Sequence, residues 1–273
     1  MGARRRVLPG FGLSLGYTVF YLGMLVLLPI LACFAKASTL SFHEMADAAW
    51  TDRARAAYLL TFGTSLIAAL VNVVLGLMIA WVLVRYRFPG KRFVDAMIDL
   101  PLALPTSVGG LVYASLYVKN GWLGRYLVPA GINVAYTRLG IVLVLVFVGL
   151  PFVVRTVQPV LEDVDPEVEE AAASLGATRL QAFRTVLLPA LLPALITGFA
   201  LAFARSIGEY GSVVFISGNM PYKTEIAPIL VVARLEEFAY AEATAIAVVL
   251  LVASFALLVA INLLERWSRR HER

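Results

Sequence analysis

The sequence has little charge, one cysteine and two histidines. Only 15% of its 273 residues are Asp, Glu, Lys or Arg, whereas a soluble domain uses about a quarter of its residues in this way. The single cysteine, Cys33, excludes an intramolecular disulfide framework. Two histidines, His43 and His271, are too few with it to form a haem or zinc ligand set. The phosphate-binding pattern GxxxxGK[ST] is also absent, so any ATP hydrolysis must take place in another chain.

The sequence is instead rich in apolar residues. They make up 60% of the chain, the mean hydropathy is +0.84, and six runs approach the ~20 residues with which a helix crosses the hydrocarbon core. None of the runs alternates in the way that a membrane β-barrel requires. The sequence therefore predicts an all-α integral membrane protein, with a six-span domain over residues 11–265. The predicted transmembrane helices lie at about 12–35, 59–84, 97–118, 139–160, 189–215 and 241–264.

The basic residues are distributed unevenly between the two sides of the predicted membrane domain. If the N-terminus is cytoplasmic, the inner segments hold fourteen Lys and Arg residues, the outer loops hold eight, and Arg205 lies within the fifth span. The positive-inside rule then predicts a cytoplasmic segment at residues 1–10 and a cytoplasmic basic tail at 266–273. The net charge of +5 is thus explained by membrane orientation, and no nucleic-acid partner is expected.

A short outer segment has the signature of an amphipathic helix. Ser41 and Glu44 have the spacing of a capping box, and apolar residues recur at helical intervals up to Trp50. We expect this helix to lie on the outer face of the membrane, with His43 on its polar side as a solvated residue and not as a metal ligand.

Residues 162–189, here called the EAA segment, contain two further helix signals. Asp165 is followed by a proline and by acids, as at a helix N-terminus, and Gly176 is placed to end that helix. Thr178 and Gln181 form a second capping box. The segment predicts two short helices outside the membrane with a face of small residues. The pattern fits a docking element and an ordinary cytoplasmic hairpin equally well.

The same segment resembles a known family motif. Its spacing is similar to the EAA-x3-G-x9-I-x-L-P loop of bacterial ABC-importer permeases, with one departure, valine for isoleucine. The resemblance implies that these residues couple the membrane subunit to a separate ATP-hydrolysing subunit. The matching residues are Glu170, Ala171, Ala172, Gly176, Val186, Leu188 and Pro189.

A second resemblance narrows the family. Residues 204–219 are similar to the signature of permeases for sulfate, molybdate and tungstate, and residues 220–228 are similar to the sulfate/thiosulfate branch. The likeness runs from about residue 60 to the end and points to the T-type (CysT-like) membrane subunit. It implies ATP-driven import of sulfate, and of thiosulfate, across the bacterial inner membrane, with molybdate or tungstate as the alternative. The implied partners are a second homologous permease subunit, two ATP-binding subunits, a periplasmic sulfate/thiosulfate-binding protein and membrane lipid, and the chain itself needs no cofactor.

Charged residues within the fifth span are candidates for the anion path. A dianion cannot cross hydrocarbon unless donors or cations accompany it, and Arg205 is the only basic residue well inside a span. Glu209 follows four residues later, at the spacing of neighbours on a helix face, and Ser206 lies beside Arg205. Three interpretations stay open: a gating pair, a pair that only fixes helix packing, and direct contact between Arg205 and the anion.

Hydroxyl groups in the third span offer a second candidate. Thr106 and Ser107 follow Pro101 and Pro105, and each proline removes an N–H and frees a carbonyl. Such a broken helix fits a pore lining, and it fits equally well a kinked packing helix whose hydroxyls bond to its own carbonyls. The adjacent pair of glycines at 109–110 permits close helix contact.

An ion-coupled secondary transporter is the serious rival class. It could use Arg205 and Glu209 for coupling, although such proteins more often have ten or more spans with inverted repeats. The EAA segment separates the two classes, because a secondary transporter has no use for a site that docks an ATPase.

Overall fold

The protein is described by a computed structural model over residues 11–270, and these residues form helices and no strand. In chain order the helices are α1 (Phe11–Ala37), α2 (Phe42–Ala49), α3 (Asp52–Arg85), α4 (Lys91–Ile98), α5 (Leu100–Ala103), α6 (Thr106–Tyr117), α7 (Gly124–Leu127), α8 (Arg138–Asp163), α9 (Pro166–Ser174), α10 (Arg179–Ile207), α11 (Val213–Ile216), α12 (Ala227–Glu236) and α13 (Tyr240–Arg270).

Five of these helices are long and apolar enough to cross a membrane. They are α1, α3, α8, α10 and the Tyr240–Ile261 part of α13. This confirms the predicted all-α membrane class. The predicted span at 97–118 is instead divided between α5 and α6, because Leu104 is extended (φ −81°, ψ 137°) before Pro105, as residues before proline prefer to be. The twelve residues of α6 rise about 18 Å, less than the hydrocarbon core, so the sixth crossing stays a prediction.

The core forms where α3, α8 and α10 pack together through small residues. A Cβ at Gly76 of α3 would lie 2.6 Å from Val153 Cγ1 of α8, and a Cβ at Gly198 of α10 would lie 3.0 Å from Val153 Cα. The two glycines therefore let both helices approach α8 at the same residue, as small residues do between membrane helices. The buried cluster around this point continues through Val154, Val157, Leu161, Leu191 and Leu195.

The predicted short helix after Ser41 is present as α2. Its capping box is confirmed: Ser41 Oγ accepts a hydrogen bond from the Glu44 N–H (3.3 Å), and Glu44 Oε2 accepts one from the Ser41 N–H (2.8 Å). These bonds hold the pKa of Glu44 below its usual value. His43 is exposed and lies 2.8 Å from Asp47 Oδ2. No group of three metal-ligating side chains occurs within residues 11–270.

Two arginines tie loops to the long helices. Arg53, in the first turn of α3, donates two hydrogen bonds to the buried Glu225, at 2.8 and 2.7 Å, and so fixes the loop before α12. Arg155 of α8 makes a bidentate pair with Asp99 (2.9 and 2.6 Å) and a third bond to Asp95 Oδ1 (2.6 Å). The segment that precedes the broken helix is therefore fastened to the core.

Candidate functional site

The first helix of the EAA segment is shaped by bonds at both of its ends. Asp165 Oδ1 accepts a hydrogen bond from the Glu167 N–H (3.0 Å), which caps the N-terminus of α9. At the other end, the Ala177 N–H bonds the Ala172 carbonyl (3.0 Å) and the Gly176 N–H bonds the Ala173 carbonyl (2.9 Å). This is the Schellman arrangement, and it requires the left-handed backbone that Gly176 adopts, with φ +86°. The predicted helix end at Gly176 is confirmed.

The second helix of the segment begins at the predicted capping box. The Gln181 N–H bonds Thr178 Oγ1 (3.3 Å), and the Thr178 N–H bonds Gln181 Oε1 (2.8 Å), which confirms that prediction. Pro189 has no N–H to donate, and the helix widens just before it into a π turn over Phe183–Leu187. Val186 lies in this turn and Leu188 follows it, so the end of the motif lies within α10. The second helix of the segment is thus the beginning of the long helix α10 and not the separate short helix that the sequence predicts.

The surface of the EAA segment carries apolar side chains that nothing in the described chain covers. Leu175 is 89% exposed, and Leu180 and Val168 are also exposed. Glu170 and Ala171 are exposed as well, and Ala172 is half-buried. Exposed apolar side chains grouped around a helix end are typical of a contact surface.

An ion pair holds this surface against the core. Arg85, the last residue of α3, lies 2.7 Å from Glu169 Oε1 of α9, and it donates a hydrogen bond to the Val164 carbonyl (3.2 Å). Sequence reasoning counted Arg85 only as an inner-side cation. The partner could not be read from the sequence because 84 positions separate the two residues.

The structure brings Arg205 and Glu209 together at the end of a helix. Arg205 Nη1 lies 2.6 Å from Glu209 Oε2, but α10 ends at Ile207, so the pair bridges the last turn and the chain that follows. Glu209 is 1% exposed, and its other oxygen accepts hydrogen bonds from the Ser212 N–H (2.9 Å) and hydroxyl (2.8 Å). The side chain of Arg205 is about one-third exposed, so part of it stays accessible.

Ser206 has a different environment from its neighbour. It is buried, and its hydroxyl donates a hydrogen bond to the Ala202 carbonyl one turn earlier (2.8 Å). The hydroxyl is therefore occupied within α10, in the way that serine commonly bonds inside a helix.

Thr106 and Ser107, the hydroxyl residues of the predicted third span, lie next to the turn that contains Glu209 and Ser212. Gly211 packs on Thr106 Oγ1, and the backbone of Ser212 packs on Gly110 of α6. Thr106 is half-buried and Ser107 is exposed. The structure thus joins the two sets of candidate path residues, Arg205–Glu209 and Thr106–Ser107, through the residues 211–212. Sequence reasoning missed this contact, although the paired glycines at 109–110 were its signal.

The contact at Gly110 gives a testable prediction. A methyl group at this position would overlap the backbone of Ser212, which cannot move without moving the turn that holds Glu209. We expect Gly110→Ala to cost about 1–3 kcal/mol, as overpacking does, and to reduce transport. Thermal unfolding of the purified complex and transport at equal membrane abundance measure both effects.

Gly109→Ala is the matched control for this prediction. A Cβ at Gly109 would meet only Phe147 Cε1, at an ordinary 3.7 Å. Equal losses in the two variants would show that the contact with Ser212 is not the cause.

Known proteins resemble the chain in both sequence and fold. Residues 72–273 match the family model described as binding-protein-dependent transport system inner membrane component. The sulfate transport system permease protein CysT of Salmonella typhimurium is 51% identical over 97% of this chain and 96% of that protein, and the CysT of Synechocystis is 52% identical over 93% and 89%.

A solved structure shows the same fold at low identity. A bacterial ABC transporter involved in the import of the acidic polysaccharide alginate superposes with a TM-score of 0.74 at 16% identity, covering 93% of both chains. This likeness concerns the fold alone, whereas the family model and the CysT relatives cover most of the sequence. The chain belongs to the binding-protein-dependent transport permease family, in which it is a CysT-like inner-membrane subunit of an ABC importer and not an enzyme.

Proposed function

We propose that this chain is the membrane subunit through which an ATP-driven importer moves sulfate, and with it thiosulfate, into the cell. The observation that carries the proposal is the identity of about one half to sulfate transport permeases along nearly the whole chain. The aligned length also spans the turn in which Glu209 contacts both Arg205 and Ser212.

The EAA segment is proposed as the docking site for the ATPase. Leu175, Leu180 and Val168 expose apolar surface in the EAA segment, and a partner that covered them would remove that surface from water. Because the chain has no phosphate-binding loop, energy must reach it through such a contact. A second homologous permease, two ATP-binding subunits and a periplasmic binding protein complete the proposed assembly.

The anion path is proposed to pass the accessible part of Arg205. Glu209 neutralises this arginine, and Ser212 donates two hydrogen bonds to Glu209. A dianion that approached Arg205 would compete with Glu209 for the same guanidinium. We therefore propose that the pair acts as a gate, with Thr106 and Ser107 supplying hydroxyl donors nearby.

Uptake of radiolabelled sulfate tests the proposed function. A bacterial strain without its own sulfate importers receives this chain with its partner subunits, and a matched strain receives the same set with an inactive ATPase. We expect uptake only in the first strain, and competition by thiosulfate. Uptake that persists with the inactive ATPase would indicate a secondary transporter. Competition by molybdate and not by thiosulfate would indicate a molybdate or tungstate permease.

The proposed topology has its own prediction. With both termini in the cytoplasm, reporter fusions after Lys36, Lys119 and Lys223 should report an external location, and fusions after Arg92 and Arg273 an internal one. The fusions after Arg92 and Lys119 are decisive for the divided third span, because they flank α5 and α6. Opposite results at any two sites would overturn the topology.

A further inference from the structure

A groove runs along the exposed side of α3 near its cytoplasmic end. It has a volume of about 530 Å³, and it is walled by α3 on one side and by Phe183 of α10 on the other. Its floor is apolar: Leu77, Met78 and Val82 line it, and Met78 is 61% exposed. No part of the described chain fills it, so an apolar occupant would gain contact with this surface.

The length of the groove matches one leaflet of a bilayer. From Leu77 to Tyr86 the helix rises about 14 Å, against ~15 Å for half of the hydrocarbon core. Tyr86 stands at the end of this stretch, and tyrosine is enriched at the headgroup level of membranes, whereas Trp81 lies near the middle of the stretch. The ring of Trp81 packs edge-to-face on Phe183, with 6.0 Å between centroids, which fixes that wall.

A free cation lies at the open end of the groove. Arg87 lines the groove and is exposed, and within the described part of the chain no acidic side chain pairs with it. Arg85, two residues earlier, is already engaged by Glu169. The groove therefore combines an acyl-sized apolar floor with a tyrosine and a free cation at the end where α3 terminates.

We propose that this groove binds one anionic phospholipid of the cytoplasmic leaflet, with an acyl chain along Leu77–Val82 and the phosphate at Arg87. The choice of leaflet rests on the orientation given under the proposed function. The occupant is a lipid and not a helix of a partner subunit, because the cation is complementary to a phosphate and the apolar floor ends at the depth of one leaflet. Since Phe183 belongs to the EAA segment, the lipid touches both α3 and the element that receives the ATPase.

Photo-cross-linking in native membranes identifies the occupant directly. A photoreactive phenylalanine analogue replaces Met78 in the complete transporter, and the same analogue replaces Leu70 as a control that lies on α3 outside the groove. After illumination, mass spectrometry of the intact chain distinguishes an adduct of phospholipid mass from an adduct of subunit mass. We expect a phosphatidylglycerol adduct at position 78, enriched over the membrane composition, and no such enrichment at position 70.

A charge variant tests the headgroup contact in the purified complex. Arg87→Gln is expected to lower the retention of phosphatidylglycerol about fivefold relative to phosphatidylethanolamine, as expected for one basic residue at a lipid surface. Arg92→Gln removes the same charge five residues away, does not line the groove, and should leave retention unchanged. Native mass spectrometry counts the bound lipids.

Three results would overturn the proposal. They are a subunit-sized adduct at position 78, an adduct that follows bulk lipid composition, and equal losses of phosphatidylglycerol in Arg87→Gln and Arg92→Gln. None of these measurements requires transport activity, so their outcome does not depend on the result of the sulfate uptake assay. If the reporter fusion after Arg92 gave an external location, only the assignment of the lipid to the cytoplasmic leaflet would be wrong.

Discussion

Sulfate uptake is expected to disappear when Gly176 is replaced by valine, while the subunit still inserts into the membrane. Gly176 has φ +86°, a conformation that costs an L-residue about 1–2 kcal/mol and a β-branched one more. No atom lies within 4 Å of where its Cβ would be, so the effect comes from the backbone and not from a clash. Loss of the left-handed turn would break the bonds from 176–177 to Ala172 and Ala173 and redirect α9.

Two further glycine-site variants make this result interpretable. Gly90 has φ +84° and equally open surroundings in the turn before α4, so Gly90→Val imposes the same strain away from the EAA segment and should retain most uptake. Gly176→Asn should also retain uptake, because asparagine tolerates the left-handed region. If Gly90→Val is as inactive as Gly176→Val, strain in general is the cause and the docking role loses its support.

A larger residue at Ala172 tests the contact surface itself. We expect Ala172→Trp to prevent close approach by the ATPase, to abolish uptake, and to reduce the amount of ATPase that copurifies. Full copurification of the ATPase with this variant would show that it docks elsewhere.

Removing Arg205 or Glu209 singly is expected to reduce uptake severely. Arg205→Met leaves a buried carboxylate held only by Ser212, and that carboxylate either repels a dianion or takes up a proton. Glu209→Gln leaves an arginine without its counter-charge. Breaking a fully buried pair costs about 3–5 kcal/mol, and here the cost is smaller because Arg205 is one-third exposed.

The double variant separates the interpretations of this pair. Arg205→Met with Glu209→Gln restores neutrality, and the amide oxygen can still accept from Ser212. A gating or packing pair predicts partial recovery of uptake relative to either single change. Direct binding of the anion by Arg205 predicts no recovery, and strictly additive losses at equal membrane abundance would mean that the two residues act separately.

The parts of this molecule that follow from sequence are those fixed within a few residues. The caps at Ser41, Asp165 and Thr178 and the helix end at Gly176 each involve partners at most five positions apart. The membrane class follows from composition, because a charge-poor chain of this length has no other way to shield its apolar side chains. Such features depend on local bonding and on solvent, and both can be read without knowing the fold.

The remaining features depend on which distant elements meet. Arg155 with Asp95 and Asp99, and Arg53 with Glu225, are pairs of ordinary charged residues until the helices are packed. The end of α10 could not be predicted from the sequence for the same reason. The predicted span continues to position 215, whereas the helix stops at Ile207, and Glu209 then binds Ser212 in a turn that packs against α6.

The ion pair between Arg85 and Glu169 gives α9 a third anchorage. The peptide chain joins α9 to α8 and α10, and this pair joins it to α3, the remaining member of the core. A load applied to α9 is therefore shared by three helices that are already close-packed around Val153. With α9 fixed at three points, we expect any displacement of α9 to move α3, α8 and α10 together and not to bend a single connection.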